Sequence, residues 1–257
     1  MAKKSSSAGF KSSFKVPSDG DGHDGHSMHN EILVGLPKKE CEAVFSNLEF
    51  VEMRLHDVLN EMGETIKYCY FVNSGLASIL NVMSDGKSVE VGLTGKEGFV
   101  GLPIVVGLNT SANRVVTQIA GTAFRISARK MADVLRRCPQ LERALNRYSQ
   151  TLALQSTQVA ACNRLHEVEE RLARWLLMSQ DRIGGDAVPL TQDFLAHMLG
   201  TRRASVTVAA GILQKAGLIT YARGAVKIVN RENLEDATCE CYEVITRQAR
   251  NWRKESS

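Results

Sequence analysis

The sequence predicts an α+β protein: an N-terminal antiparallel β jelly roll, a long dimerisation helix and a C-terminal winged helix-turn-helix domain. Three observations predict it. Short β-rich runs alternate with turn signals between about 50 and 127. Apolar residues recur at spacings of three and four from about 140 to 162. Helix, tight turn, helix and hairpin signals follow one another from 189 to 230.

A chain of 257 residues has room for one large domain or two modest ones, each with its own core. No apolar run approaches bilayer-spanning length, and the polar N-terminus lacks the apolar segment of a secretory signal. A cytoplasmic location with no membrane partner is therefore expected.

The predicted units run in order. Residues 1–29, rich in Ser, Gly, Lys, Asp and His, hold too few large apolar side chains to offset ordering entropy and read as a mobile tail. His23, His26 and His29 belong to that tail rather than to a metal site. Residues 30–138 form the jelly-roll domain, opening with a short helical stretch to about 46. Within it YCYFVNSG, ASILNVMSDG, SVEVGLTGKEG, NRVVTQIAG and TAFRIS read as separate strands. Ser84-Asp85-Gly86 is a hairpin signal, and Asn73-Ser74-Gly75 punctuates like another turn. Ala128 to Arg137 reads as a short helix stopped by Pro139.

Residues 139–163 form the long helix. Leu141, Leu145, Tyr148, Leu152, Gln155 and Val159 make one stripe that must pack on something. Its own barrel and a second copy both qualify. The sequence reading favours the second copy, which makes Leu141, Leu145, Tyr148, Leu152 and Val159 candidate dimerisation residues.

Residues 164–233 carry the most informative pattern, followed by a helical tail over 234–257. Thr191 caps a first helix over Gln192–Leu199, Gly200 supplies the positive φ of a tight turn, and Thr201 caps a second helix from Arg202 to about Ala216. Leu218 to Tyr221 and Ala225 to Val229 form a hairpin around Ala222-Arg223-Gly224. This is a winged helix-turn-helix, whose second helix enters a DNA major groove. From Gly200 to Arg231 there are six basic residues (Arg202, Arg203, Lys215, Arg223, Lys227, Arg231) and no acidic one, the local excess that replaces phosphate counterions. Arg202 and Arg203 suit guanine edges, Ser205 and Thr207 suit phosphate or base edges, and Arg223 and Lys227 suit the flanking backbone. The candidate DNA-binding set is thus Thr201, Arg202, Arg203, Ser205, Thr207, Arg223 and Lys227.

Catalytic and metal sites are not expected. The sequence holds no nucleophile elbow, P-loop or HExxH motif. The six cysteines (41, 69, 138, 162, 239, 241) read as reduced thiols, and Cys239 and Cys241 have no second Cys/His pair nearby at zinc-site spacing.

On these residues the chain resembles the Crp–Fnr family of bacterial transcription regulators. The resemblance is strongest over 164–233, from NRLHEVEERLARWLLM through LTQDFLAHMLGTRRASVTVAAGILQKAGLI, and looser over about 30–160. It implies a cyclic-nucleotide-binding-like jelly roll and a homodimer on a palindromic double-stranded DNA site, with RNA polymerase as a further partner. It places the family's guanine-reading Arg on Arg203, the Glu that follows on Ala204, and a second specificity Arg on Val208. The family's effector pocket falls on Gly101, Leu102, Ser111, Ala112 and Arg114. Leu102 replaces the ribose-binding Glu, and Ser111-Ala112 stand where nucleotide-binding members have Arg-Ser. Arg114, three residues on, lies on the opposite face of a strand. The resemblance therefore implies no cyclic-nucleotide cofactor and leaves any other effector open. The cysteine cluster of the family's iron–sulfur members is absent before residue 41. The competing reading is a signal-binding module that acts through protein partners rather than DNA.

Overall fold

The computed structural model describes residues 26–185, 187–222 and 224–255. The predicted tail up to residue 25, including His23, and the hairpin-tip Arg223 lie outside the described residues.

Two short helices, α1 (Glu31–Val34) and α2 (Lys38–Phe45), precede the sheet. Asn30 explains where α1 begins. Its side-chain oxygen accepts from the Leu33 amide, and its Nδ2 donates to the carbonyls of Val72 and Gly98, both at 2.8 Å.

The barrel strands are β1 (Glu49–Met53), β2 (Val58–Asn60), β3 (Tyr68–Val82), β4 (Ser88–Thr94), β5 (Phe99–Val100) and β6 (Arg114–Ser127). The short helix α3 (Leu102–Val105) lies between β5 and β6. All pairings are antiparallel. The order is β1-β6-β3-β4, with β2 also on β6 and β5 on β3. The Ser84-Asp85-Gly86 hairpin joins β3 to β4 as expected. The strand count differs from the sequence reading. YCYFVNSG and ASILNV are one 15-residue strand, and NRVVTQIAG and TAFRIS are one 14-residue strand. Gly75, read as a turn, lies instead at a bulge. Gly75 has φ +79°, and register shifts fall between Val72 and Ala77 where β3 crosses β6. A Cβ at Gly121 would stand 2.2 Å from the Ser74 carbonyl oxygen, so the backbones touch there.

Helix α4 (Ala128–Leu135) is capped by the Ser127 hydroxyl and leads into the 27-residue α5 (Pro139–Leu165). Here the sequence reading needs correction. Leu141, Leu145 and Tyr148 are buried in the chain's own barrel core with Phe71, Phe99 and Phe124. The Tyr148 hydroxyl shares a 2.8 Å hydrogen bond with Thr94. Leu152 lies over Gly92 of β4, and Val159 is buried. The predicted dimerisation stripe is the helix's intramolecular face. Periodicity identifies the face that must be covered, not what covers it.

The C-terminal half comprises α6 (Val168–Ile183), β7 (Ala187–Pro189), α7 (Gln192–Met198), α8 (Arg203–Lys215), β8 (Ile219–Ala222), β9 (Ala225–Ile228), α9 (Arg231–Asp236) and α10 (Cys241–Lys254). Glu167 and Glu170 form a reciprocal capping box at the start of α6. The wing is a three-stranded sheet, β7-β9-β8. The sequence reading missed β7, which has three residues and ends in proline. The apolar core of this half is continuous with the barrel: Trp175, Leu176 and Leu199 share a cluster with Leu76, Leu80 and Leu93. Polar ties reinforce the contact. Trp175 Nε1 donates to buried Glu90 at 2.8 Å, and Arg182 of α6 bonds Glu97 at 2.7 Å and Gln155 of α5 at 2.9 Å.

The cysteine reading is also corrected. All six thiols are free, but the fold carries α10 back onto the end of α5. Cys239 and Cys241 thereby meet Cys162 and His166, a pair 77 residues earlier in the case of Cys162 and Cys239.

Candidate nucleic-acid interface

Local sequence builds the helix-turn-helix. The Thr191 hydroxyl accepts from the Phe194 amide at 3.2 Å and starts α7. The turn is held by the Thr201 amide donating to the Ala196 carbonyl at 2.9 Å, with Gly200 at φ +57°. Thr201 is not the cap of the second helix. Arg202 is, with extended backbone and no side-chain cap hydrogen bond. The first turn of α8 thus keeps its amides free of a side-chain cap, in a dipole that favours phosphate. Val206, Ala209, Ala210 and Leu213 are buried and seat α8 against α6 and α7.

Arg202, Arg203 and Thr207 are exposed and Ser205 is half-buried, all at the N-terminal end of α8. Arg203 is held in place from α7 by an exposed ion pair with Asp193 at 3.2 Å. The Thr207 hydroxyl lies 2.8 Å from Gln192 Oε1 and 3.1 Å from the Arg203 carbonyl. Exposed Lys227 sits on the wing opposite Thr220. Arg231 does not join this face. It bonds Gln180, Asp181, Glu235 and Tyr242, so its charge holds α6, α9 and α10 together.

One feature of the face went unread in the sequence. Val208 is 64% exposed and Ile212 45%, and with exposed Ala204 they form an apolar row at steps of four. On a helix that enters a major groove, such a row is placed for thymine methyl groups. A helical projection of 203–215 carries the signal: the row is the face left over once Val206, Ala209, Ala210 and Leu213 turn inward.

The comparisons with known proteins agree with this architecture. A Crp-like helix-turn-helix domain model matches residues 170–237, and a cyclic nucleotide-binding domain model matches residues 50–138. The chain belongs to the Crp–Fnr family of transcription regulators. Among solved structures it is similar to FixK2 from Bradyrhizobium japonicum, at 16% identity and TM-score 0.65 over 75% of this chain and 98% of that one. It is also similar to the c-di-GMP-responsive global regulator CLP of Xanthomonas campestris, at 18% identity and TM-score 0.63 over 75% and 99% of the two chains. A CRP-family transcriptional regulator from Thermus thermophilus aligns at 19% identity and TM-score 0.59 over 73% and 95%. No curated relative matches the chain. Crp–Fnr regulators are DNA-binding proteins rather than enzymes. No helix among the described residues is long and apolar enough to cross a membrane.

The Crp–Fnr effector positions are for the most part engaged with other groups of this chain. Gly101, at φ +114°, packs its backbone on Cys69, and Leu102 opens α3 against the core around Ile104. The Ser111 hydroxyl is used on the Asn113 carbonyl at 2.7 Å, and Ala112 is exposed. Arg114 is committed to a two-pronged ion pair with Glu61, with contacts of 2.7 to 2.9 Å. Its hydrogen bonds hold the Glu61 carboxyl below the ordinary range.

Proposed function

We propose that this regulator reads a palindromic DNA site as a homodimer and does so without a cyclic-nucleotide effector. The observation that carries the reading is the N-terminal face of α8, where Arg202, Arg203 and Thr207 are exposed beside the apolar row through Val208. Arg203 reads one base pair, Ser205 and the amides of the first turn meet phosphate, and Lys227 with Arg223 hold the flanking backbone. Thr201 positions the turn from behind rather than touching DNA. The effector part of the proposal is supported by Leu102 at the ribose-binding position and by the engagement of Arg114 with Glu61.

Arg203→Ala is expected to lose about 1–3 kcal/mol of site affinity and to relax preference at one base pair of each half-site. Titrating the variant against a set of single-base-pair site changes measures this. An equal loss on every sequence would make Arg203 a phosphate contact.

For the dimer, the supporting feature is the other side of α5. Arg143, Asn146, Gln150, Ala153, Thr157, Ala160 and Arg164 are all exposed and follow one another at alternating steps of three and four. That repeat is the seam of a two-helix pair, and the small residues at its centre let two helices approach closely. Two copies joined there would set recognition helices on half-sites about one helical turn apart. Replacing Ala153 and Ala160 together by Arg should give monomers by sedimentation and leave folding intact, since both side chains point to solvent. A variant that stays dimeric would place the interface elsewhere. RNA polymerase and a signal received by the barrel remain further expectations of the same reading.

A further inference from the structure

We propose that Cys162, His166, Cys239 and Cys241 form a closed, tetrahedral site for a thiophilic divalent cation of the zinc class, which clamps α10 to the end of α5. The four ligand atoms all lie within 4.8 Å of one another. Cys162 Sγ is 3.5 Å from Cys239 Sγ, and Cys241 Sγ is 3.5 Å from His166 Nδ1. Zinc–sulfur bonds of about 2.3 Å and zinc–nitrogen bonds of about 2.0 Å arranged as a tetrahedron require ligand–ligand edges of roughly 3.5–3.8 Å. Those two edges fit that frame, and a 3.5 Å separation of the Cys162 and Cys239 sulfurs is too long for a disulfide, whose sulfurs lie about 2.05 Å apart.

The surroundings fit a bound cation as well as the ligands do. His166 turns its other nitrogen, Nε2, to the Glu240 carboxylate at 3.1 Å, the partner that fixes tautomer and ring orientation in histidine metal sites. Gln158 Nε2 donates to Cys241 Sγ at 3.2 Å. Three thiolates around a divalent cation leave one net negative charge. Arg171 and Arg174, 7% and 2% exposed, are near enough for their charges to act on Cys162, and each has a buried Nε with no hydrogen-bond partner among the described residues. Two buried cations beside three neutral thiols would be poorly compensated; beside a thiolate cluster they are paired. Four protein ligands leave no open position, so the site is structural rather than catalytic. Its place matters for this regulator. Cys162 and His166 lie at the end of the long helix just before α6 begins, Cys241 begins α10 and Cys239 lies just before it, so the ion joins the ends of two helices beside the start of α6.

The test uses the full chain, reduced and stripped of metal, titrated with Co²⁺ alone as the spectroscopic probe. The expected result is about one equivalent bound, with the strong visible bands of tetrahedral cobalt and a thiolate-to-cobalt charge-transfer band. Zn²⁺ should displace the cobalt and raise Tm, since an ion that binds only the folded chain stabilises it. Cys239→Ser with Cys241→Ser should lose the charge-transfer band, and Cys41→Ser should keep it. His166→Cys, which conserves a ligand, should retain tetrahedral cobalt where His166→Ala does not, so that a folding defect is told apart from a lost ligand. An octahedral spectrum, no uptake by the wild-type chain, or iron with labile sulfide in the purified protein would overturn the assignment.

Discussion

Arg182→Ala is expected to destabilise the chain by about 3–5 kcal/mol, the usual penalty for stranding one partner of a buried ion pair. The side chains of Arg182 and Glu97 are 13% and 12% exposed. Arg182 spends its donors on three elements at once: Nε on Glu97 at 2.7 Å, Nη1 on the Met178 carbonyl at 2.8 Å and Nη2 on Gln155 at 2.9 Å. Without it, the Glu97 carboxylate keeps the Gly95 amide at 3.2 Å as a donor and loses its counter-charge. For a chain of this size the loss corresponds to a fall in Tm of roughly 6–20 °C, read by calorimetry and by urea midpoint. Adding Glu97→Gln should recover part of it, because the amide needs no counter-charge. A single-variant loss below about 1 kcal/mol would mean that water reaches the pair and that the tie between barrel, α5 and α6 is weak.

The second large effect concerns pH. Glu90 is buried, and its carboxyl is pushed up to about 7 because burial penalises the charged form; hydrogen bonds from Ser78 and Trp175 pull only partly the other way, as do the charges of Arg174 and Arg182. Protonated Glu90 can donate to Ser78, which frees the Ser78 hydroxyl for Gln118 Oε1 at 2.9 Å. The folded chain therefore holds a proton that the unfolded chain releases near the ordinary value of 4.5. Stability from this group is fully present at and below that value and is lost as pH rises towards about 7, at up to roughly 1.4 kcal/mol per pH unit. Above about 7 the loss is constant. Glu90→Gln keeps the shape and removes the titration. Its stability relative to wild type should climb between pH 5 and pH 7 by about 2–3 kcal/mol and then level off. Taking the difference cancels the other carboxylates. A pH-independent difference would mean that Glu90 stays ionised throughout. The same residue accepts from Trp175 Nε1 of α6 at 2.8 Å, so the cost of ionising it falls where the barrel meets the DNA-binding half.

Which features were legible in the sequence follows from the range of the physics involved. The helix-turn-helix was readable because its signals are local: the Thr191 cap, the left-handed Gly200 and the buried spacing of Val206, Ala209 and Leu213 all lie within one short stretch. Its cap slipped by one residue, from Thr201 to Arg202, since both precede the same helix. The barrel was readable as antiparallel, but Gly75 and Gly121 carry the same signal whether they make a turn or a bulge, and here they bend two long strands past each other. The stripe through Leu141, Leu145 and Tyr148 was a correct apolar face assigned to the wrong neighbour. The seam proposed along Ala153, Thr157 and Ala160 has no signal in the sequence, because small and polar residues do not stand out from solvent-facing ones. The Cys/His cluster was out of reach, since only the return of α10 to α5 brings its two pairs together. Arg231 looked like part of the basic face until the structure gave it Asp181 and Glu235 as partners.

The most direct test is selection from a random duplex library by the purified, effector-free full chain at one fixed, near-physiological salt concentration. The account predicts enrichment of a palindrome whose half-sites lie about one helical turn apart, with one base pair per half-site lost from the motif when Arg203→Ala replaces the wild type. Failure of the full chain to enrich any sequence, or enrichment unchanged by Arg203→Ala, would contradict it.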